Sequence, residues 1–196
     1  YTLDSTLTLG NGYWLRFDSV GSVTITGVPV YELALDLEAG WNLVSGLSEE
    51  FNINASADPG SIIVPNTLYG YAETYYNSEV LIPGKGYWIR ASEDGQIILN
   101  SEATQRMSNI NHSLRGTANT LTINGMDLYF GIELSYENKL SYSLPPKPPA
   151  GAFDVRFKDD WRLVKEYGEI EVVPIGDTLT IAYDIILNAG EHHNWV

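Results

Sequence analysis

The chain has 196 residues, a formal net charge of −14 and no cysteine. Its length allows one large or two small domains. The acidic balance disfavours nucleic acids and anionic membranes as partners, because both repel a negatively charged surface. The lack of cysteine excludes disulfides, thiolate metal sites and cysteine nucleophiles. Eighteen glycines and nine prolines supply frequent turn signals, which together with 12% aromatic residues favour an all-β chain.

A ten-residue phrase occurs twice in the first half of the chain. It reads LTLGNGYWLR from Leu7 to Arg16 and LIPGKGYWIR from Leu81 to Arg90, at a constant offset of 74 residues. A repeat of this kind predicts a duplicated supersecondary unit. It also predicts that the chain begins partway through one unit of a larger modular protein.

Residues 1–27 are interpreted as the end of a truncated repeat unit, and residues 28–108 as a complete β unit. The alternative is that the two pair their strands, so that residues 1–108 form one domain. Alternating apolar and polar residues predict the strands, and clusters of polar and turn-forming residues predict the loops between them. The expected strands lie near 30–37, 41–44, 68–72, 87–88 and 96–99, with an irregular stretch at 48–67 and a loop at 75–78.

After a polar linker at 101–117, residues 118–196 are predicted to form a β-sandwich. Phe153, Val155 and Phe157 alternate with two charged residues, which is typical of a strand with one buried face. The proline-rich run at 144–151 is predicted to cross between sheets in an extended form, because proline lacks the amide donor of a central strand. The predicted fold class is therefore all-β: a repeat-derived β-domain followed by an immunoglobulin-like β-sandwich without the cysteine pair of true immunoglobulin domains.

Two stretches resemble parts of secreted bacterial proteins. GWNLVS at 40–45, LYGY at 68–71 and LIPGKGYW at 81–88 are similar to a β-rich module that recurs in large secreted bacterial proteins. TLTINGMDLYFG at 120–131 and LPPKPPAGAFDVRF at 144–157 resemble a region near the C-terminus of exported proteins of Bacteroidetes-like bacteria. There the region commonly precedes a sorting tail for type IX secretion. The resemblance implies an extracellular or cell-surface location and flanking domains in the same polypeptide, and it leaves the activity open.

Aromatic side chains are the candidate ligand-binding groups, because the C–H faces of sugar rings stack on aromatic rings. Tyr69 and Tyr71 share one face of a predicted strand, whereas Tyr75 and Tyr76 fall in the predicted loop, where binding residues concentrate. Core packing is the alternative for every one of them, since burial is the usual reason for aromatic residues in strands. The candidates are Tyr69, Tyr71, Tyr75, Tyr76, Trp88 and Trp161.

Charged and nucleophilic residues follow no pattern typical of catalysis. Paired acids at 49–50, 93–94 and 159–160 stand in turn-like surroundings, which do not define the carboxyl separation that a glycosidase requires. No EF-hand spacing, zinc-protease helix, nucleophile elbow, phosphate loop or dinucleotide fingerprint is present. His192 and His193 would need a third ligand from elsewhere to hold a metal. The sequence predicts no catalytic residue, no metal site and no cofactor, with a loose Ca²⁺ site among the acids as the alternative.

These observations predict a non-catalytic extracellular module that serves as a spacer, a stabilising segment or an attachment region. The first alternative is a carbohydrate-binding module for an attached hydrolase, with a polysaccharide or cell-surface glycan as ligand. A flat, solvent-facing aromatic platform near residues 69–76 would distinguish it. The second alternative is a protein-binding adhesin domain, with an apolar patch or a sheet edge open to strand addition. Neither nucleic acid binding nor membrane insertion is expected.

Overall fold

The computed structural model describes residues 6–15, 19, 21–22, 24, 26–102 and 114–187. Within these residues the chain forms fourteen β-strands, one short α-helix and one turn of 3-10 helix. The prediction of an all-β chain is confirmed. The chain divides into two compact units, Tyr1–Tyr71 with Asn77–Asn109, and Ala72–Tyr76 with Ile110–Val196. His112, His192 and His193 lie outside the described residues.

The strands of the first half are short and pair in antiparallel fashion. In chain order they are β1 (Glu32–Leu37), β2 (Gly40–Ser45), β3 (Phe51–Asn52), β4 (Tyr69–Tyr71), β5 (Tyr75–Asn77), β6 (Val80–Leu81), β7 (Gly86–Ala91) and β8 (Gly95–Asn100). In the first unit β1 pairs with β8, β3 pairs with β6, and β7 lies between β2 and β4. The 3-10 turn, Ile53–Ala55, follows β3 directly.

Side-chain alternation along these strands builds the core of the first unit. On β7, Tyr87, Ile89 and Ala91 point to one face and are fully buried. A side-chain bond fixes one of the turns, where the Asp94 carboxylate accepts a hydrogen bond from the Ala39 amide at 2.8 Å. The buried core comprises Leu35, Leu37, Val44, Leu47, Phe51, Ile53, Ile62, Leu68, Leu81, Tyr87, Ile89, Ala91, Ile97 and Leu99.

The second unit contains two sheets and a five-residue helix. Its elements are β9 (Asn119–Ile123), β10 (Met126–Phe130), α1 (Tyr136–Leu140), β11 (Asp154–Phe157), β12 (Leu163–Val164), β13 (Ile170–Val173) and β14 (Ile181–Asp184). One sheet has the order β12-β10-β9-β14, with β12 parallel to β10, and the other pairs β11 with β13. A two-residue turn at Asn124 and Gly125 joins β9 to β10, and both residues have a positive φ. Asn-Gly is the favoured sequence for such a turn, because its backbone twist matches that of the flanking strands.

The charged residues of β11 are buried together rather than exposed. The Arg156 side chain is 0% exposed, and its Nε and Nη2 donate to the two carboxylate oxygens of Asp154 at 2.6 and 2.7 Å. Its Nη1 donates to the Pro145 carbonyl and to the Asp160 carboxylate, at 2.7 and 2.6 Å. This arrangement ties the proline-rich run to β11 and neutralises a cation that could not otherwise be buried.

Two features of the sequence prediction need correction. The loop expected at residues 75–78 is wrong for Tyr75–Asn77, which form β5. The alternation at 153–157 does not place Asp154 and Arg156 in solvent, because all four residues of β11 are buried. The immunoglobulin-like sandwich stays a prediction.

Candidate functional site

The repeated Tyr-Trp pair at Tyr87 and Trp88 is divided between the two faces of its sheet. Successive residues of a strand point in opposite directions, so Tyr87 enters the core while Trp88 lies on the other face. Trp88 stands opposite Leu43 on β2 and opposite Tyr69 on β4. Residues directly opposite one another on antiparallel strands share a face. Tyr69 and Trp88 are therefore brought together on the side of the sheet away from the core.

This second side of the sheet carries a dense aromatic layer, here called the aromatic face. Trp41 and Tyr69 meet edge to face with ring centroids 5.9 Å apart, and the Arg90 guanidinium lies 5.8 Å from the Trp41 ring centroid. Trp14, from the first copy of the repeated phrase, meets Tyr71 in the same way at 5.0 Å. The aromatic face consists of Trp14, Trp41, Tyr69, Tyr71, Trp88 and Arg90.

Most members of the aromatic face are half-buried, and their rings are not parallel. Tyr69 is buried, whereas Trp14, Trp41, Tyr71 and Trp88 keep part of their surface exposed. Both ring pairs cross at 66°, an edge-to-face geometry typical of packed aromatics. A sugar-binding platform instead presents a flat ring surface to solvent. Chemically, the face offers partial ring surfaces and one cation.

The indole N–H of Trp88 is a polar group on the aromatic face without a protein partner. Its Nε1 is buried and has no hydrogen-bond acceptor among the described residues. Buried donors in proteins are almost always paired, so this N–H is suited to donate to an oxygen of a ligand or of a water. This indole N–H favours a polar ligand at the aromatic face.

Tyr75 and Tyr76 belong to the second unit. Tyr75 is buried, and its hydroxyl donates to the Pro146 carbonyl at 2.8 Å. Tyr76, the next residue on β5, is half-buried. Tyr75 thereby fixes a carbonyl of the proline-rich run, which is a structural contact.

Trp161 is also a packed residue of the second unit. It is half-buried and forms isolated bridges with Phe157 and Ser143. The Lys139 ammonium, in the last turn of α1, lies 4.2 Å from the Trp161 ring centroid. This cation–π contact ties the short helix to the strand region.

Polar clusters in the described residues have structural partners. Asp127 receives a bidentate pair of hydrogen bonds from Arg115, both at 2.6 Å, and a third from the Thr122 hydroxyl at 2.7 Å. Burial alone would raise the pKa of Asp127, but the bonds from Arg115 and Thr122 outweigh it, so the pKa lies below its ordinary value. Within the part of the chain that the structure describes, no three histidine, aspartate or glutamate side chains gather where they could hold a metal.

The outer strand of the second unit is apolar and exposed. β14 lies at the end of its sheet, and Ile181 and Tyr183, which share one face of it, are 58% and 74% exposed. Ile175 and Leu179, just ahead of the strand, are exposed as well. Apolar residues alternate with mostly polar residues along this segment, and alternation alone does not say which face is covered.

The buried Arg156 pair is the main polar feature that sequence reasoning missed. A signal for it exists: Asp154 and Arg156 stand two residues apart on a strand, so their side chains must lie side by side. Asp159 and Asp160 both have a positive φ, which turns the chain back so that Asp160 reaches the same guanidinium.

The chain was also compared with known proteins. No protein-family model, no curated protein and no solved structure matches it. Among the described residues, no helix is long and apolar enough to cross a lipid bilayer.

Proposed function

We propose that the protein is a non-catalytic extracellular module of a larger secreted bacterial protein, where it provides spacing, stability or attachment. The observation that carries this proposal is the way in which the first copy of the repeated phrase joins the complete unit. The Gly12 amide donates to the Leu43 carbonyl at 2.9 Å, and the Ser45 amide donates to the Gly10 carbonyl at 2.8 Å. The first copy thus adds to the free edge of β2, whose other edge pairs with β7.

Backbone pairing between successive units is what a spacer requires. Each unit buries its own core, while the next unit is held by ladder bonds that do not depend on particular side chains. A row of units paired in this way is stiffer than a row of domains joined by flexible linkers. The proposal also draws on the resemblance of residues 120–157 to a region of exported proteins, and on the acidic, cysteine-free composition. Labelling of intact cells of the source organism with an antibody against the protein tests the location.

The aromatic side chains fit the same role. Tyr69 is covered by neighbouring rings on the aromatic face, and Tyr75 is bonded to the Pro146 carbonyl. Aromatic rings that pack edge to face stabilise a small β unit beyond the area that they bury, by about 0.5–1.5 kcal/mol per pair.

The second candidate function is a carbohydrate-binding module. It is favoured by the half-buried rings of Trp41, Tyr71 and Trp88 on one face and by the indole N–H of Trp88, which has no acceptor in the described part of the chain. Within each ring pair the two planes cross at 66°, which argues against this function, because stacked sugars need a flat ring surface. The spacer is therefore preferred.

A glycan-array screen of the full chain, with Ca²⁺ and with chelator, separates the two functions. A spacer gives no glycan-selective signal above that of an unrelated acidic protein. The Tyr71→Ala variant removes a half-exposed ring of the aromatic face, and Tyr31→Ala, which lies outside that face and is exposed, is the matched control. Selective binding that Tyr71→Ala abolishes and Tyr31→Ala retains, with both variants folded by circular dichroism, would overturn the spacer in favour of the binding module.

A further inference from the structure

The two copies of the repeated phrase adopt the same local hydrogen bonds. The Asn11 amide donates to the Thr8 carbonyl at 3.2 Å, and the equivalent Lys85 amide donates to the Ile82 carbonyl at 3.2 Å. The phenol of Tyr13 accepts from the Thr8 amide, and the phenol of Tyr87 accepts from the Ile82 amide. The central glycines of the turns, Gly10 and Gly84, both have a positive φ. The turns of the two copies therefore share their local hydrogen bonds, which allows the burial of equivalent residues to be compared.

Burial is where the two copies differ. Leu81 and Ile89 are both 0% exposed in the complete unit, whereas their equivalents Leu7 and Leu15 are 62% and 64% exposed. Leu9 in the same phrase is exposed as well. Large apolar residues therefore occupy positions 7 and 15, and this structure leaves both exposed to solvent. We call the surface formed by Leu7, Leu9 and Leu15 the leucine surface.

The complete unit shows which elements cover these positions. Leu81 stands opposite Phe51 on β3, and it packs so closely on Gly46 that a methyl carbon there would lie 2.8 Å from the Leu81 Cβ. Ile89 stands opposite Asn42 on β2. Residues 40–52, the segment of β2 and β3, therefore lie next to both positions, within a buried core that other segments share. The motif GWNLVS occurs once in the sequence, in the complete unit, and residues 12–15 lie outside any strand, although their equivalents form most of β7.

We propose that the leucine surface is the docking site for the β2–β3 segment of a further unit of the same kind, which would complete the truncated copy. This inference rests on the proposed modular function and names the partner that the function requires. The occupant is a segment with the character of GWNLVSGLSEEFN, residues 40–52: a strand that pairs with residues 12–15 and apolar side chains that cover Leu7 and Leu15. The burial of large aliphatic side chains is the main source of free energy for docking of this kind.

The test uses an extended chain in which a second copy of residues 28–74 is fused directly ahead of Tyr1. This fusion restores the repeat spacing and provides a copy of β1 to β4, including the β2–β3 segment. Because the protein has no cysteine, Leu7→Cys and Leu15→Cys each give a single thiol whose alkylation rate reports exposure. The matched controls are an extension of the same composition in scrambled order, and Val28→Cys, at a position that is 91% exposed and outside the leucine surface.

We expect the thiols at positions 7 and 15 to react about tenfold or more slowly in the extended chain than in the parent, as groups protected by a folded neighbour do. The thiol at position 28 of the parent sequence should react at the same rate in both chains, and the scrambled extension should protect none of them. Equal rates at positions 7 and 15 in the extended and parent chains would overturn the proposal. Slow, concentration-dependent labelling in the parent itself would also overturn it, because a second copy of the chain would then be the occupant.

Hydrogen exchange of the unsubstituted chains covers the case in which a cysteine variant does not fold. Amides of residues 6–15 should exchange more slowly in the extended chain and be unaffected by the scrambled extension. These readouts are independent of the glycan screen. Glycan binding with protected thiols would reject the spacer and keep the docking site, whereas no glycan binding with unprotected thiols would do the reverse.

Discussion

At the scale of single residues, the described polar side chains of the second unit mainly form hydrogen bonds and ion pairs within that unit. Arg156 satisfies Asp154, Asp160 and the Pro145 carbonyl at once, so one guanidinium joins a strand, a turn and the proline-rich run. Removal of one partner from such a buried group leaves an uncompensated charge, which is why these sites tolerate little change. Sequence reasoning recognised the strand from its apolar residues, but the alternation rule assigned its charged residues to solvent. The rule fails here because a fully paired charge can be buried.

Asp127 gives the second unit a pH-dependent contribution to stability. Its pKa in the folded protein is lowered from an ordinary value of 3.8, since the hydrogen bonds from Arg115 and Thr122 outweigh the effect of burial. A lowered folded pKa contributes stability that is complete above the ordinary pKa and is lost as the pH falls through the folded pKa. We expect Asp127→Asn to lower the free energy of unfolding at pH 7 by about 1 kcal/mol or less, because Arg115 is mostly exposed and solvent screens the pair.

Urea denaturation at several pH values measures this effect. The curves of the parent and of Asp127→Asn should converge as the pH falls below about 4, because Asp127 of the unfolded chain is protonated first and the folded carboxylate only at its lower pKa. Asp177→Asn is the matched control, since Asp177 is exposed, and it should leave the free energy of unfolding unchanged at neutral pH. A difference between the parent and Asp127→Asn that stays constant down to pH 2 would contradict the assignment.

At the scale of elements, the strands were predictable where turn chemistry and alternation agree. β1, β2, β7 and β8 fall where apolar alternation predicts them, and Asn124-Gly125 makes the turn that its sequence favours. β5 was missed because Tyr75–Asn77 is a three-residue strand, too short for a periodic pattern to be recognised. The site residues were identified only as aromatic residues, of which Tyr75 and Tyr76 were assigned to a predicted loop. Which of them meet is decided by strand register, such as Tyr69 opposite Trp88, and register is set by tertiary pairing.

Gly12 holds the first copy of the repeated phrase against β2. A methyl carbon at this position would lie 2.7 Å from the Val44 carbonyl oxygen, a backbone atom that cannot move aside. We expect Gly12→Ala to push residues 10–12 off the edge of β2 at a cost of about 1–3 kcal/mol. The bond from the Ser45 amide to the Gly10 carbonyl should then break, so the Ser45 amide should exchange with solvent roughly tenfold or more faster than in the parent.

The equivalent glycine of the second copy provides the control. A methyl carbon at Gly86 would have its nearest neighbours at 3.4 Å, which is close to ordinary van der Waals contact. Gly86→Ala should therefore leave the exchange of the Ser45 amide nearly unchanged, as followed by amide NMR. Equal protection of Ser45 in Gly12→Ala and in the parent would show that this pairing does not depend on the close approach at Gly12.

At the scale of the whole molecule, the dominant electrostatic fact is the excess of 25 acidic over 11 basic side chains. Individual ion pairs such as Arg115 with Asp127 are attractive, and salt weakens them. The summed repulsion of a net charge of −14 acts in the opposite sense, because salt screens it and so favours the compact state. Because the excess charge is large, we expect repulsion to determine whether added salt raises or lowers the stability of the folded protein.

We therefore expect the melting temperature to rise by about 2–4 °C between 10 mM and 300 mM NaCl, which corresponds to about 1 kcal/mol for a chain of this size. The variant with Glu49→Lys and Glu50→Lys changes two exposed acids and lowers the excess negative charge to about −10. Its melting temperature should depend less steeply on salt than that of the parent, whereas Glu49→Asp with Glu50→Asp should keep the full slope. A fall in melting temperature with added salt would mean that attraction within ion pairs contributes more to stability than repulsion from the net charge costs. The prediction would then be wrong.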